Sequence, residues 1–121
     1  MDSHYVARLL AIGRILAGIA MLAVPGPLLA AAGMVSTGRN RLLVRMVGGR
    51  DLVLGVGAFQ ALASGRAPGP WVRAGAVADT VDAVAILSTA DELGPAKAAA
   101  GLAVAGGAAV AGARAAADIT D

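Results

Sequence analysis

The sequence predicts a small all-α bundle of four transmembrane helices, forming a single membrane domain over residues 1–121. Two compositional facts and one pattern carry this expectation. Apolar residues make up 58% of the chain and charged ones only 15%, where soluble domains carry about 25% charged residues. Mean hydropathy is +0.75, so polar surface is too scarce to coat a soluble protein of this size. The pattern is a series of apolar stretches near span length, about 20 residues each, separated by segments rich in proline and glycine.

The first span is expected over residues 5–24. Pro25-Gly26-Pro27 ends it, because proline cannot continue the helical hydrogen-bond ladder. The Asp-Ser-His start lacks the basic region of a signal peptide. Residues 28–35 form a short apolar segment, too short to span and expected to lie at the interface or re-enter. Residues 36–40 read as a loop. The second span covers about 41–63 and stops at the breaker Ser64-Gly65-Arg66-Ala67-Pro68-Gly69-Pro70. The third covers about 70–89, with Trp71 where an interfacial aromatic belongs. A polar turn at Asp91-Glu92-Leu93-Gly94-Pro95 precedes the fourth, about 96–117, which is almost wholly Ala, Gly and Val. Its small residues permit close backbone approach to a neighbour. The distribution of arginines leans towards both termini in the cytoplasm, and the chain is expected to be integral to the cell (cytoplasmic) membrane.

Inventory excludes several chemistries. The chain has no Cys, so disulfides, thiolate metal sites and a cysteine nucleophile are absent. A pI near 9.9 arises from a net charge of only +2. The arginines are dispersed without an aromatic-interleaved stripe, so nucleic acid is not an expected partner. The only histidine, His4, is terminal. Gly55-Val-Gly57 lacks the third glycine and preceding strand of a phosphate loop. No cofactor and no metal are expected.

Ionisable residues inside the spans are the informative feature. On the third helix, 100° per residue puts Gly75, Asp79, Asp82 and Ile86 on one face, the glycine there to admit another backbone. On the second, Arg41, Arg45, Gly48, Asp51, Gly55 and Phe59 share a broad face with Arg50 on its flank, and on the first Arg14 stacks with Ala7, Gly18 and Met21. An antiparallel bundle brings Arg14, Arg50, Asp51, Asp79 and Asp82 to similar depth. The third helix has roughly seven good apolar side chains contributing about −0.3 to −0.6 kcal/mol each, against two aspartates at about +3 each. It therefore has to enter the membrane with a cationic partner. Ion pairs of this kind often do no more than fix helix register, yet three aspartates exceed what register needs. The candidate catalytic residues are Asp79, Asp82 and Asp51; Arg50, Arg45, Arg14 and Trp71 are candidates for substrate binding or positioning.

The run Arg45-Met-Val-Gly48-Gly-Arg50-Asp51-Leu-Val-Leu54-Gly55 resembles the R-x-x-G-x-R-D-x-x-L-G signature of small, mainly actinobacterial membrane proteins of the domain of unknown function 4267 family. Trp71-x3-Gly75-x3-Asp79-x2-Asp82 and the Arg14-to-Pro25 spacing resemble its other recurrent features. The resemblance implies a four-helix membrane protein and supplies no chemistry. Three functions stay open. One is a polar site in an apolar bundle that binds a hydrophobic, lipid-like or terpenoid molecule. If catalytic, it would be a cofactor-independent acid–base hydrolase, isomerase or cyclase, with residue types similar to the Asp-Arg-Asp arrangement of limonene-type epoxide hydrolases. The others are a structural subunit of a larger membrane complex and a small proton-coupled transporter. The expected partners are the lipid bilayer and a hydrophobic small molecule, with a homo-oligomer or larger complex open.

Overall fold

Proline and glycine set where the helices start and stop in the computed structural model, which describes residues 2–119. The described residues are 86% helical and contain no strand. Helix α1 spans Ser3–Ala23, with the Asp2 carboxylate accepting from the His4 amide at 3.0 Å as its N-cap. Pro25 then serves as the first residue of a short helix, α2, Pro25–Ala31, where a missing N–H costs nothing. The apolar segment expected over 28–35 is thus a helical turn starting earlier and ending at Ala31. Thr37 caps α3, Gly38–Ala63, by accepting the Asn40 amide at 3.1 Å, so the loop expected over 36–40 ends three residues sooner. Helix α4 is Gly69–Ser88. The polar turn expected at 91–95 contains one further helical turn, α5, Ala90–Leu93. Gly94, at φ +86°, reverses the chain in a conformation that only glycine takes without strain, and Pro95 opens α6, Pro95–Asp118.

The four long helices run up and down. Gly18 meets Gly48 while Ala11 meets Gly55, which makes α1 and α3 antiparallel, and Ala76 meets Gly112 while Ile86 meets Gly101, which does the same for α4 and α6. These two pairs pack most tightly, and α1 joins α6 and α3 joins α4 along sparser seams. The α1–α3 seam is backbone against backbone. A Cβ on Gly18 would lie 2.7 Å from the Gly48 carbonyl oxygen, and one on Gly48 would lie 2.6 Å from the Met21 Cβ. Small residues at such crossings let helices gain packing energy without a hydrophobic driving force.

Side-chain size is distributed inside out. The buried apolar residues are mostly alanines, with Ala7 and Ala11 only 1% exposed, whereas Leu16 is 63%, Met46 63% and Val104 75% exposed. At the end holding both chain termini, Ala7, Val72, Ala115, Ala116 and Ile119 converge into one cluster. At the other end the two pairs part, and Lys97 Nζ donates to the Gly33 carbonyl at 2.9 Å across the gap. Helices α1 and α6 are long and apolar enough to cross a membrane. Helices α3 and α4 have the length, but Arg50 and Asp51 in one and Arg73, Asp79 and Asp82 in the other lower their hydropathy. Composition therefore marks two spans where four were expected.

Candidate functional site

The five ionisable residues near mid-helix form one continuous chain of ion pairs. Asp79 and Asp82 lie three residues apart on α4 and so face the same way. Arg14 reaches from α1 and donates through NH2 to Asp79 Oδ2 and through NH1 to Asp51 Oδ1, the latter at 3.2 Å. Arg50 reaches from α3 and grips Asp82 with both terminal nitrogens, at 2.9 and 2.7 Å, the bidentate geometry that guanidinium and carboxylate favour. Arg50 also donates to Asp51 Oδ1 at 3.1 Å. Adjacent residues on a helix diverge by about 100°, so Asp51 turns towards α1 while the longer Arg50 side chain swings round to α4. The order is Asp79, Arg14, Asp51, Arg50, Asp82. It ties the α1–α3 pair to the α4–α6 pair.

Burial grades along this chain. The side chains of Asp79, Arg14 and Asp51 are 10–13% exposed and those of Arg50 and Asp82 are 32% exposed. Asp79 is the one charged residue buried among those described. Gly75 makes room for this inner end, because a Cβ there would lie 2.9 Å from Arg14 NH2 and 3.0 Å from Nε. The glycine expected to admit a backbone admits a guanidinium instead.

A cleft of about 880 Å³ opens beside the ion-pair chain, between the parted helix pairs. Asp51, Asp79 and Asp82 are its only acidic lining residues, and its walls are apolar side chains such as Met21, Val47, Ile86 and Val104. Lys97 stands at its far end, with α2 and α5 residues nearby. This size lies within the range of about 300–1,000 Å³ typical of small-molecule pockets, which pair apolar walls with a few placed polar groups.

Two candidate residues lie elsewhere. Arg45 is exposed and donates from Nε to the Leu22 carbonyl at 3.2 Å, satisfying an orphan carbonyl in the last turn of α1; it does not join the cluster. Trp71 lies flat over Gly57, where a side chain would collide with the indole. It lines, with Arg14, a separate cavity that holds no more than a water molecule. In the other direction, the sequence offered no hint that α6 lines the cleft. Its contribution, Ala96, Lys97, Ala100, Gly101, Val104, Ala105 and Ala108, repeats at helical spacing, but small residues carry no chemical signature. Among the described residues no three metal-ligating side chains group together, cluster carboxylates included.

No family model matches the chain, and no curated protein and no solved structure matches it either.

Proposed function

We propose that the chain is an integral membrane protein whose Asp/Arg cluster forms the polar end of a site for a hydrophobic, lipid-like small molecule. The observation that carries this reading is the cleft itself, apolar along its length and lined by carboxylates at one end. The inside-out distribution of side chains supports the bilayer as its surroundings. Large apolar side chains covering the outside are costly in water, at about 25 cal/mol per Å², and cost nothing in lipid. In that setting all four long helices cross, α3 and α4 doing so with their charges paired against α1 and against each other. The proposed kinship with the domain of unknown function 4267 family fits this arrangement, since Gly48 and Gly55 of the signature face α1 and its Arg50 and Asp51 join the cluster.

Acid–base chemistry on the bound molecule, such as epoxide opening, isomerisation or cyclisation, would fall to Asp51 and Asp79. Each of these keeps one oxygen outside the ion pairs, whereas both oxygens of Asp82 are held by Arg50. Arg14, bonded to both, would be the positioning residue. A carboxylate pair sharing one guanidinium has the donor and acceptor capacity for proton transfer, and no cofactor enters such a scheme.

Two measurements test the reading. The protein is expected to stay in the membrane pellet after alkaline carbonate washing and to need detergent for release. Native mass spectrometry of the detergent-purified protein is expected to show a retained apolar small molecule that Val104→Trp, which fills the cleft, displaces. A monodisperse protein in a detergent-free supernatant, or identical spectra for both proteins, would refute it.

A further inference from the structure

The ion-pair chain is unevenly satisfied. Asp82 uses both oxygens on Arg50, but Asp51 is bonded only through Oδ1 and Asp79 only through Oδ2. Asp51 Oδ2 and Asp79 Oδ1 therefore accept from no donor among the described residues. Neither is sealed away, since no buried side-chain nitrogen or oxygen lacks a partner among the described residues. Both residues line the cleft, and Asp79 is only 7% exposed. Its free oxygen is thus an accessible acceptor on an otherwise buried residue, open to a donor from a molecule in the cleft.

Charge points the same way. The cluster holds three carboxylates and two guanidiniums, leaving one formal negative charge in excess. Neither Arg14 nor Arg50 lines the cleft, so an anionic ligand would meet carboxylates first. Arg14 carries Asp51 and Asp79 on its two terminal nitrogens, which holds these two carboxylates at a single guanidinium. A protonated primary amine has three donors and no acceptor and brings the missing positive charge. The cleft runs from there along α6 between Ala108 and Lys97, about 17 Å at about 1.5 Å per residue. Its walls offer an apolar molecule nothing else to hydrogen-bond until Lys97.

We infer that the cleft receives a cationic amphiphile: a protonated primary amine seated on Asp51 and Asp79, with an apolar body lying along α4 and α6. This rests on the proposed reading of the cleft as a hydrophobic-ligand site and names the headgroup that site selects. The paired carboxylates supply the specificity, and the Ala/Gly/Val wall accommodates chains of varied shape.

The test uses the full chain in nanodiscs of neutral phosphatidylcholine, with three chain-matched radiolabelled probes: dodecylamine, dodecanol and dodecanoate. Saturable binding of dodecylamine is expected, at least tenfold tighter than binding of the alcohol or the acid. Asp79→Asn and Asp51→Asn are each expected to weaken the amine at least tenfold and leave the alcohol unchanged, while Arg66→Ala, outside the cleft, changes nothing. Equal affinity for the three probes in the unmodified protein overturns the inference without recourse to any variant. So does amine binding that survives both aspartate substitutions. If the alcohol or acid binds as tightly as the amine and Val104→Trp abolishes that binding, the amine headgroup falls and the cleft reading stands. If none of the three binds saturably, both fall.

Discussion

Replacing Arg14 with methionine keeps an unbranched apolar stem in place of the arginine's and removes all its donors, so it tests what the central guanidinium contributes. Asp79, 10% exposed at its side chain, has Arg14 as its only ion-pair partner among the described residues; Asp51 retains Arg50 at 3.1 Å. The variant therefore strands one buried carboxylate. Breaking a buried pair from one side costs about 3–5 kcal/mol, a large part of a total stability of about 5–15 kcal/mol. Arg50→Met is the internal comparison. It strands Asp82, whose side chain is 32% exposed, and the loss should be nearer the value of charged hydrogen bonds, about 1.5–3 kcal/mol. Adding Asp79→Asn to Arg14→Met removes the stranded charge, so the double variant should recover about 0.5–3 kcal/mol of coupling. Unfolding by dodecyl sulfate in mixed micelles, followed by circular dichroism, measures all four proteins. Equal midpoints for Arg14→Met and the unmodified protein, or a greater loss for Arg50→Met, would refute the assignment of Arg14 as the buried keystone of the cluster.

Two further outcomes follow from the packing and the site. Gly48→Ala should lose at least about 1–3 kcal/mol, since its Cβ would sit 2.6 Å from that of Met21, while Gly106→Ala, with open space around it, should be neutral or gain up to about 1 kcal/mol of helix propensity; the same unfolding titration reads both, and matching losses would remove the case for a close α1–α3 seam. Asp79→Asn and Asp82→Asn should differ in function, the first abolishing ligand response and the second sparing it, because only Asp79 keeps a free oxygen at the cleft; full retention of ligand response by both would reduce the cluster to a register device.

The helix limits were legible because their causes are local. Proline and glycine at 25–27, 64–70 and 94–95 act on their own backbone, and the long helices begin and end within three residues of the expected bounds. The meeting of the five charges was legible too, from helical period and the cost of stranding an aspartate in lipid. Other features depend on residues distant in sequence. Gly75 reads as a seam glycine until Arg14 is seen occupying its space. Arg45 shares a face with Asp51, but its reach ends at the Leu22 carbonyl because the carboxylates lie deeper in the bundle. The cleft was invisible, since it is made by two helix pairs parting and is walled by alanines that resemble every other alanine in the chain.

The inside-out arrangement of side-chain size has a consequence for how this chain drifts over time. In a water-soluble bundle the large interior residues are the ones held constant, and the surface varies freely. Here Leu16, Met46, Val81 and Val84 face outward, and any apolar side chain of similar bulk serves there. Ala7, Ala11, Gly18 and Gly48 are filled to the last methyl group. Descendants of this chain are thus free to exchange Leu, Ile, Val and Met across most of their length while alanine and glycine stay in place. Their common ancestry would survive mainly as a spacing of small residues and five charges, a trace too sparse for resemblance between whole sequences to register.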